Sequence, residues 1–76
     1  MYSYEISDLL EESILNLDLK NSLEIIEYCY EYYPKEKDSI VVIILEEIYH
    51  KTTHTVHKLL IELLIEYYYS LLNNIK

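Results

Sequence analysis

The chain contains no glycine. That absence constrains the fold more than any motif does. Tight β-hairpins use primed turns whose central residues have positive φ, and glycine supplies these at no steric cost. With one proline and no glycine, 76 residues are expected to form long helices joined by short polar connections. About half of the residues are hydrophobic, ten of them tyrosine, too apolar and aromatic a composition for a disordered chain.

The last third is the most apolar stretch. At helical period, Val56, Leu59, Leu60, Leu63 and Tyr67 make one stripe. His57, Ile61, Leu64, Tyr68, Leu71 and Ile75 make a second. Lys58, Glu62, Glu66, Ser70 and Asn73 form only a narrow polar strip. A helix apolar around most of its circumference is normally buried around most of it, and a chain this small has little material to bury it with. A homodimer is therefore expected, with Ile61, Leu64, Tyr68 and Leu71 meeting their copies.

Charge is unevenly divided. Net charge is -8 with no arginine, and the first 34 residues hold eight acids against Lys20 alone. The field repels polyanions, and no guanidinium is present to fork a phosphate. Direct nucleic-acid binding is not expected, and a basic protein partner is. The one cysteine, Cys29, cannot form an internal disulfide, which suits a reducing compartment. Met1-Tyr2-Ser3-Tyr4-Glu5 lacks the features of a signal peptide. No apolar run approaches the ~20 residues that span a bilayer. An intracellular protein without membrane contact is the expectation.

Along the chain, Ile6, Leu9, Leu10, Ile14 and Leu17 recur at steps of three and four, predicting a helix from Ser3, its cap, to Leu15. Asn16–Lys20 reads as a connection, with Leu17 or Leu19 plugging the core. Asn21 followed by Glu24 has capping-box spacing and predicts a second helix from Ser22 to Tyr33, stopped by Pro34 and the charged run 35–38. Ile40–Ile44 is β-branched, but no other run offers a strand to pair with it. A third helix capped by Asp38 or Ser39 is expected, with a strand shared across a dimer as the alternative. Lys51–Val56 is a weak helix former. It is either a turn, with Thr53 or Thr55 capping a last helix that ends at Asn73-Asn74, or part of one long rod. The expected architecture is all-α, three to four helices: an acidic hairpin over residues 1–34 and an apolar helix or helix pair over residues 38–75.

Two constellations carry chemistry. On the second helix, Glu24, Glu27, Tyr28, Glu31 and Tyr32 combine carboxylates with tyrosines, the composition of a protein-contact hot spot. Tyr32-Tyr33-Pro34-Lys35 on an acidic helical background resembles a segment of nuclease-inhibiting bacteriocin immunity proteins. The resemblance implies a mechanism in which acids steer a basic target and desolvated tyrosines hold it. Farther along, His50, His54 and His57 fall at i, i+4 and i+7, and Glu47 precedes them to give Glu-x-x-His. This four-residue pattern resembles the ligand unit of ferritin-like carboxylate-bridged bundles. Imidazoles one turn apart can hold zinc, copper or iron, with Glu47, His50, His54 and His57 as the ligands. The resemblance implies a di-iron site whose repeat a second copy would supply, with Glu24, Glu27 and Glu31 as further carboxylates.

Motifs that need glycine are excluded: Walker loops, dinucleotide fingerprints and the nucleophile elbow. The adjacent carboxylate pairs Glu11-Glu12 and Glu46-Glu47 point to different sides of a helix. Ile40–Ile44 followed by the Leu60–Tyr67 run is superficially similar to ribbon-helix-helix DNA-binding proteins, but the strand would carry no base-reading side chain and the charge has the wrong sign. The leading expectation is a non-enzymatic interaction protein of viral or mobile-element type, acting as an acidic inhibitor or adaptor of a basic, nucleic-acid-handling partner. A metal-binding bundle and a subunit of a larger helical assembly are the alternatives.

Overall fold

The computed structural model describes the backbone of residues 2–33 and 39–74, and the side chains within those ranges from Ile6 onward. The described residues form four helices: α1 (Tyr2–Leu15), α2 (Leu19–Tyr32), α3 (Ile40–Lys51) and α4 (Thr55–Asn73). No strand occurs among the described residues. Proline 34, the run 35–38 with Asp38, and Ile75 lie outside them.

The turn from α1 to α2 shows how a glycine-free chain reverses direction. The Leu17 N–H donates to the Ile14 carbonyl at 3.0 Å and the Asp18 N–H to the Ser13 carbonyl at 3.0 Å. This is the Schellman pairing, which places one residue in the left-handed region, usually glycine. Here that residue is Leu17, at φ 53°. The Ser13 hydroxyl donates to the Asp18 carbonyl at 3.1 Å and lies 2.6 Å from the Ser22 hydroxyl. Both serines are buried. Their small side chains let α1 and α2 approach closely while the hydroxyls satisfy each other.

Helix α2 starts three residues earlier than the Asn21–Glu24 spacing suggested. Asp18 is its cap, accepting the Asn21 N–H at 3.1 Å, so Asn21 already lies inside the helix. The Schellman turn delivers the chain to Asp18 in position to cap, and the next helix follows directly. Leu17 and Leu19 do not plug the core, since both are about half exposed. Helix α1 likewise includes Ser3, which is therefore not its cap.

The β-branched run is helical. Ser39 occupies the cap position of α3, and the Ile43 N–H donates to its carbonyl at 3.2 Å. A helix satisfies its backbone groups internally, whereas a lone strand leaves a row of them unpaired. Val41, Val42, Ile44, Leu45 and Ile48 are all buried, so tertiary packing overrides local propensity. The Ser39 hydroxyl is buried and has no partner among the described residues.

The chain breaks at Thr52–His54, which separates α3 from α4 and excludes a single rod. Thr52 is extended at φ -86°, ψ 146°, and its hydroxyl accepts the His54 N–H at 3.4 Å. His54, rather than Thr53 or Thr55, stands at the cap position of α4, and its side chain makes no capping bond. At the far end Asn74 is right-handed, at φ -86°, ψ 0°, with its N–H shared between the Ser70 and Leu71 carbonyls.

Lys51 at the end of α3 contacts Glu11 in the last turns of α1, Nζ to Oε1 at 3.4 Å. Helices α1 and α3 therefore run the same way, and because each hairpin reverses, α2 and α4 run parallel to each other. The α2–α4 seam is marked by the Tyr30–Tyr68 edge contact and by a hydrogen bond from the Tyr67 hydroxyl to Glu27. All four helices feed one core, centred on Leu10, Ile14, Ile26, Leu45, Ile61, Leu64 and Tyr68, each essentially without exposed surface.

Candidate interaction surface

Ser22, Ile26 and Cys29 turn one side of α2 into the core. At 100° per residue that leaves Glu24, Glu27, Tyr28, Glu31 and Tyr32 on the opposite side, and all five are exposed. The rings of Tyr28 and Tyr32, one turn apart, lie 4.8 Å between centroids at a 44° tilt. Tyr33 meets Tyr28 edge-on at 6.4 Å. Tyr32 is the more open of the two outer rings at 68% exposure, Tyr28 following at 50%. Rings already in mutual contact lose little rotamer freedom when a partner covers them, and the adjacent carboxylates can accept hydrogen bonds from lysine or arginine. The helix period alone therefore brings these five side chains together.

The residues expected at a dimer seam lie inside the single chain. Ile61, Leu64 and Tyr68 are fully buried within the single chain and Leu71 is half-buried, so this stripe already forms the core of its own molecule. Helices α1 to α3 supply enough apolar surface to cover it. The α4 face left open is the other one: Val56, Leu59 and Leu63, between 55% and 57% exposed, bordered by exposed Glu62 and Glu66.

The acidic edges of α4 are tied to its neighbours. Glu62 accepts from the Tyr49 hydroxyl of α3 at 3.2 Å, and Glu27 of α2 accepts from Tyr67. Hydrogen bonding to these carboxylates holds both phenols above the usual tyrosine range. Lys58 lies over the Tyr49 ring, 5.2 Å from its centroid.

The Glu/His constellation loses its premise, because the three histidines do not share one helical face. The break at Thr52–His54 leaves Glu47 and His50 exposed on α3, with His50 against Tyr49. His54 stands at the α4 cap and His57 one turn into α4, their rings 5.1 Å apart. The Nδ1 atom of His57 lies 3.4 Å from the Thr52 hydroxyl. Among the described residues no group of three His, Cys, Asp or Glu side chains is arranged to hold a metal. His54 and His57 instead line an open cleft of about 220 Å³ with Glu11, Ile48, Lys51 and Thr52.

Cys29 is buried, and desolvation pushes its thiol up to about 11, which leaves it unreactive at neutral pH. No helix among the described residues is long and apolar enough to cross a membrane. Comparison with protein-family models, with curated proteins and with solved structures finds no match to this chain.

Proposed function

We propose that this chain is a non-enzymatic interaction module that binds a basic protein through the outer face of α2, acting as an inhibitor or adaptor of a partner that handles nucleic acid. The observation that carries the reading is the exposed constellation of Glu24, Glu27 and Glu31 beside the tilted ring pair Tyr28 and Tyr32. Seven of the eight net negative charges fall within the first 34 residues, so the field that steers a cationic protein is strongest on this half of the molecule. Long-range attraction speeds encounter, and the tyrosines supply the desolvated contacts that slow release.

The test places a photo-crosslinking amino acid at Tyr28, with a second version carrying it at Ser70 as control, in cells that make the protein. The expected result is a basic protein captured from position 28, not from position 70, and lost when Glu27→Lys and Glu31→Lys are introduced together. Capture that survives the double charge reversal refutes the assignment of this face.

A further inference from the structure

The open apolar stripe of α4 continues the acidic face of α2 on the same side of the molecule. The Tyr67–Glu27 hydrogen bond joins the two helices at their outer edge. Beyond it, α2 presents Glu24 and Glu31, and α4 presents Val56, Leu59 and Leu63. Glu62 and Glu66 border the stripe on its α3 side. Because α2 and α4 run parallel, half-exposed Leu17 and Leu19 lie at the same end as the start of the stripe.

We infer that the outer groove between α2 and α4 seats an amphipathic helical segment of the basic partner, its aliphatic side chains on Val56, Leu59 and Leu63 and its lysines or arginines on Glu24, Glu27 and Glu31. The inference rests on the α2-face reading above and adds the apolar half of the contact. Charge complementarity selects the occupant. Glu62 and Glu66 border the strip on one side, and Glu24, Glu27 and Glu31 continue the groove beyond its Leu63 end, with Lys20 the one cation on the α2 side. This matches a helix apolar at one end of its inner face and basic at the other, the helix-in-groove mode of recognition. A second copy of this chain fits poorly. Two α4 stripes brought face to face would set Glu62 and Glu66 against their own copies, while Lys58 is already drawn over Tyr49. Three half-exposed side chains also fall well short of the ~800 Å² per partner of a stable interface, so the occupant must engage the acidic wall as well.

The probe is an 18-residue helical peptide of leucine and lysine, leucines at i, i+3, i+4 and i+7, labelled for fluorescence anisotropy. A lysine/serine peptide of equal charge and a leucine/glutamate peptide serve as controls. The inference expects the leucine/lysine peptide to bind at least tenfold more tightly than either control. It expects Leu59→Ser with Leu63→Ser to weaken that binding at least tenfold while circular dichroism shows helicity retained, and amide shifts on binding to concentrate on α2 and the first half of α4. Equal binding of the leucine/lysine peptide to native and serine-substituted protein overturns the groove. If Glu27→Lys with Glu31→Lys still abolishes binding in that case, the α2-face reading survives. Binding insensitive to the charge reversal removes the α2 reading and the groove with it. A dimer in sedimentation equilibrium that the paired serine substitutions dissolve assigns the stripe to a second copy and also overturns the inference.

Discussion

Replacing Leu17 by glycine and, separately, by alanine inverts the usual order of those two residues. In an ordinary helix interior alanine is better than glycine by ~1 kcal/mol. At φ 53° a Cβ collides with the backbone, at a cost of about 1–2 kcal/mol. Glycine avoids that cost but surrenders about 0.5–1 kcal/mol of extra chain entropy on folding. Glycine at position 17 should therefore exceed alanine by roughly 0.5–1 kcal/mol. Leu17 is 49% exposed. Truncation removes about half the 1.5–3 kcal/mol a fully buried leucine contributes, so both variants lose ~1 kcal/mol of packing. Leu17→Ala is then less stable than the native chain by about 1 kcal/mol, and Leu17→Gly is close to neutral. Urea unfolding followed by circular dichroism reads the difference, with Glu66→Ala and Glu66→Gly as the mid-helix reference pair where alanine should win. An alanine variant at position 17 as stable as the glycine variant, or more so, refutes the reading of this turn as a strained Schellman motif.

The register of α4 is tested by two neighbouring leucines. Leu64→Ala should cost about 2–5 kcal/mol, because the side chain has no exposed surface, while Leu63→Ala, at a side chain 57% exposed, should cost only ~1 kcal/mol; comparable losses in chemical denaturation would place the wrong face inward. Alkaline pH should destabilise the fold. The Cys29 thiol is raised to about 11 in the folded state, so its contribution is fully present below the unfolded thiol's ordinary range and is lost as pH rises from about 9 towards 11. The slope approaches ~1.4 kcal/mol per pH unit for one proton. Stability curves at pH 8 to 11 should be measurably flatter for Cys29→Ala than for the native chain, and parallel curves would contradict the assignment.

Much of the architecture is legible from spacing alone. The apolar steps from Ile6 to Ile14 fix α1, and the lack of any second β-branched run makes Ile40–Ile44 helical despite its propensity. The position of the α2 cap is not legible, because Asp18 and Asn21 are both good caps and only the geometry in which α1 ends selects the former. The face of α4 is lost for a different reason. A helix apolar around most of its circumference has too little polar contrast to orient it, so burial is decided by what α1 to α3 offer. Ile61, Leu64 and Tyr68, expected at a seam, meet those helices instead. The histidine stripe failed through one local event, the extended backbone at Thr52, which uncouples His50 from His54 and His57. The α2 face needed none of this information, since its acids and tyrosines follow from a 3.6-residue period over two and a half turns.

The start of α4 has a consequence for motion. Its cap residue, His54, supplies no side-chain acceptor, and no acid stands in the first turn to favour the exposed amides. Those N–H groups depend on water, while the middle of the same helix is locked between Leu60 and Tyr68. The first turn of α4 is therefore the easier end of that helix to open, and its buried middle the harder. Fraying at this end breaks few buried contacts, and it makes Val56 the residue of the open stripe whose backbone is ordered last on any encounter.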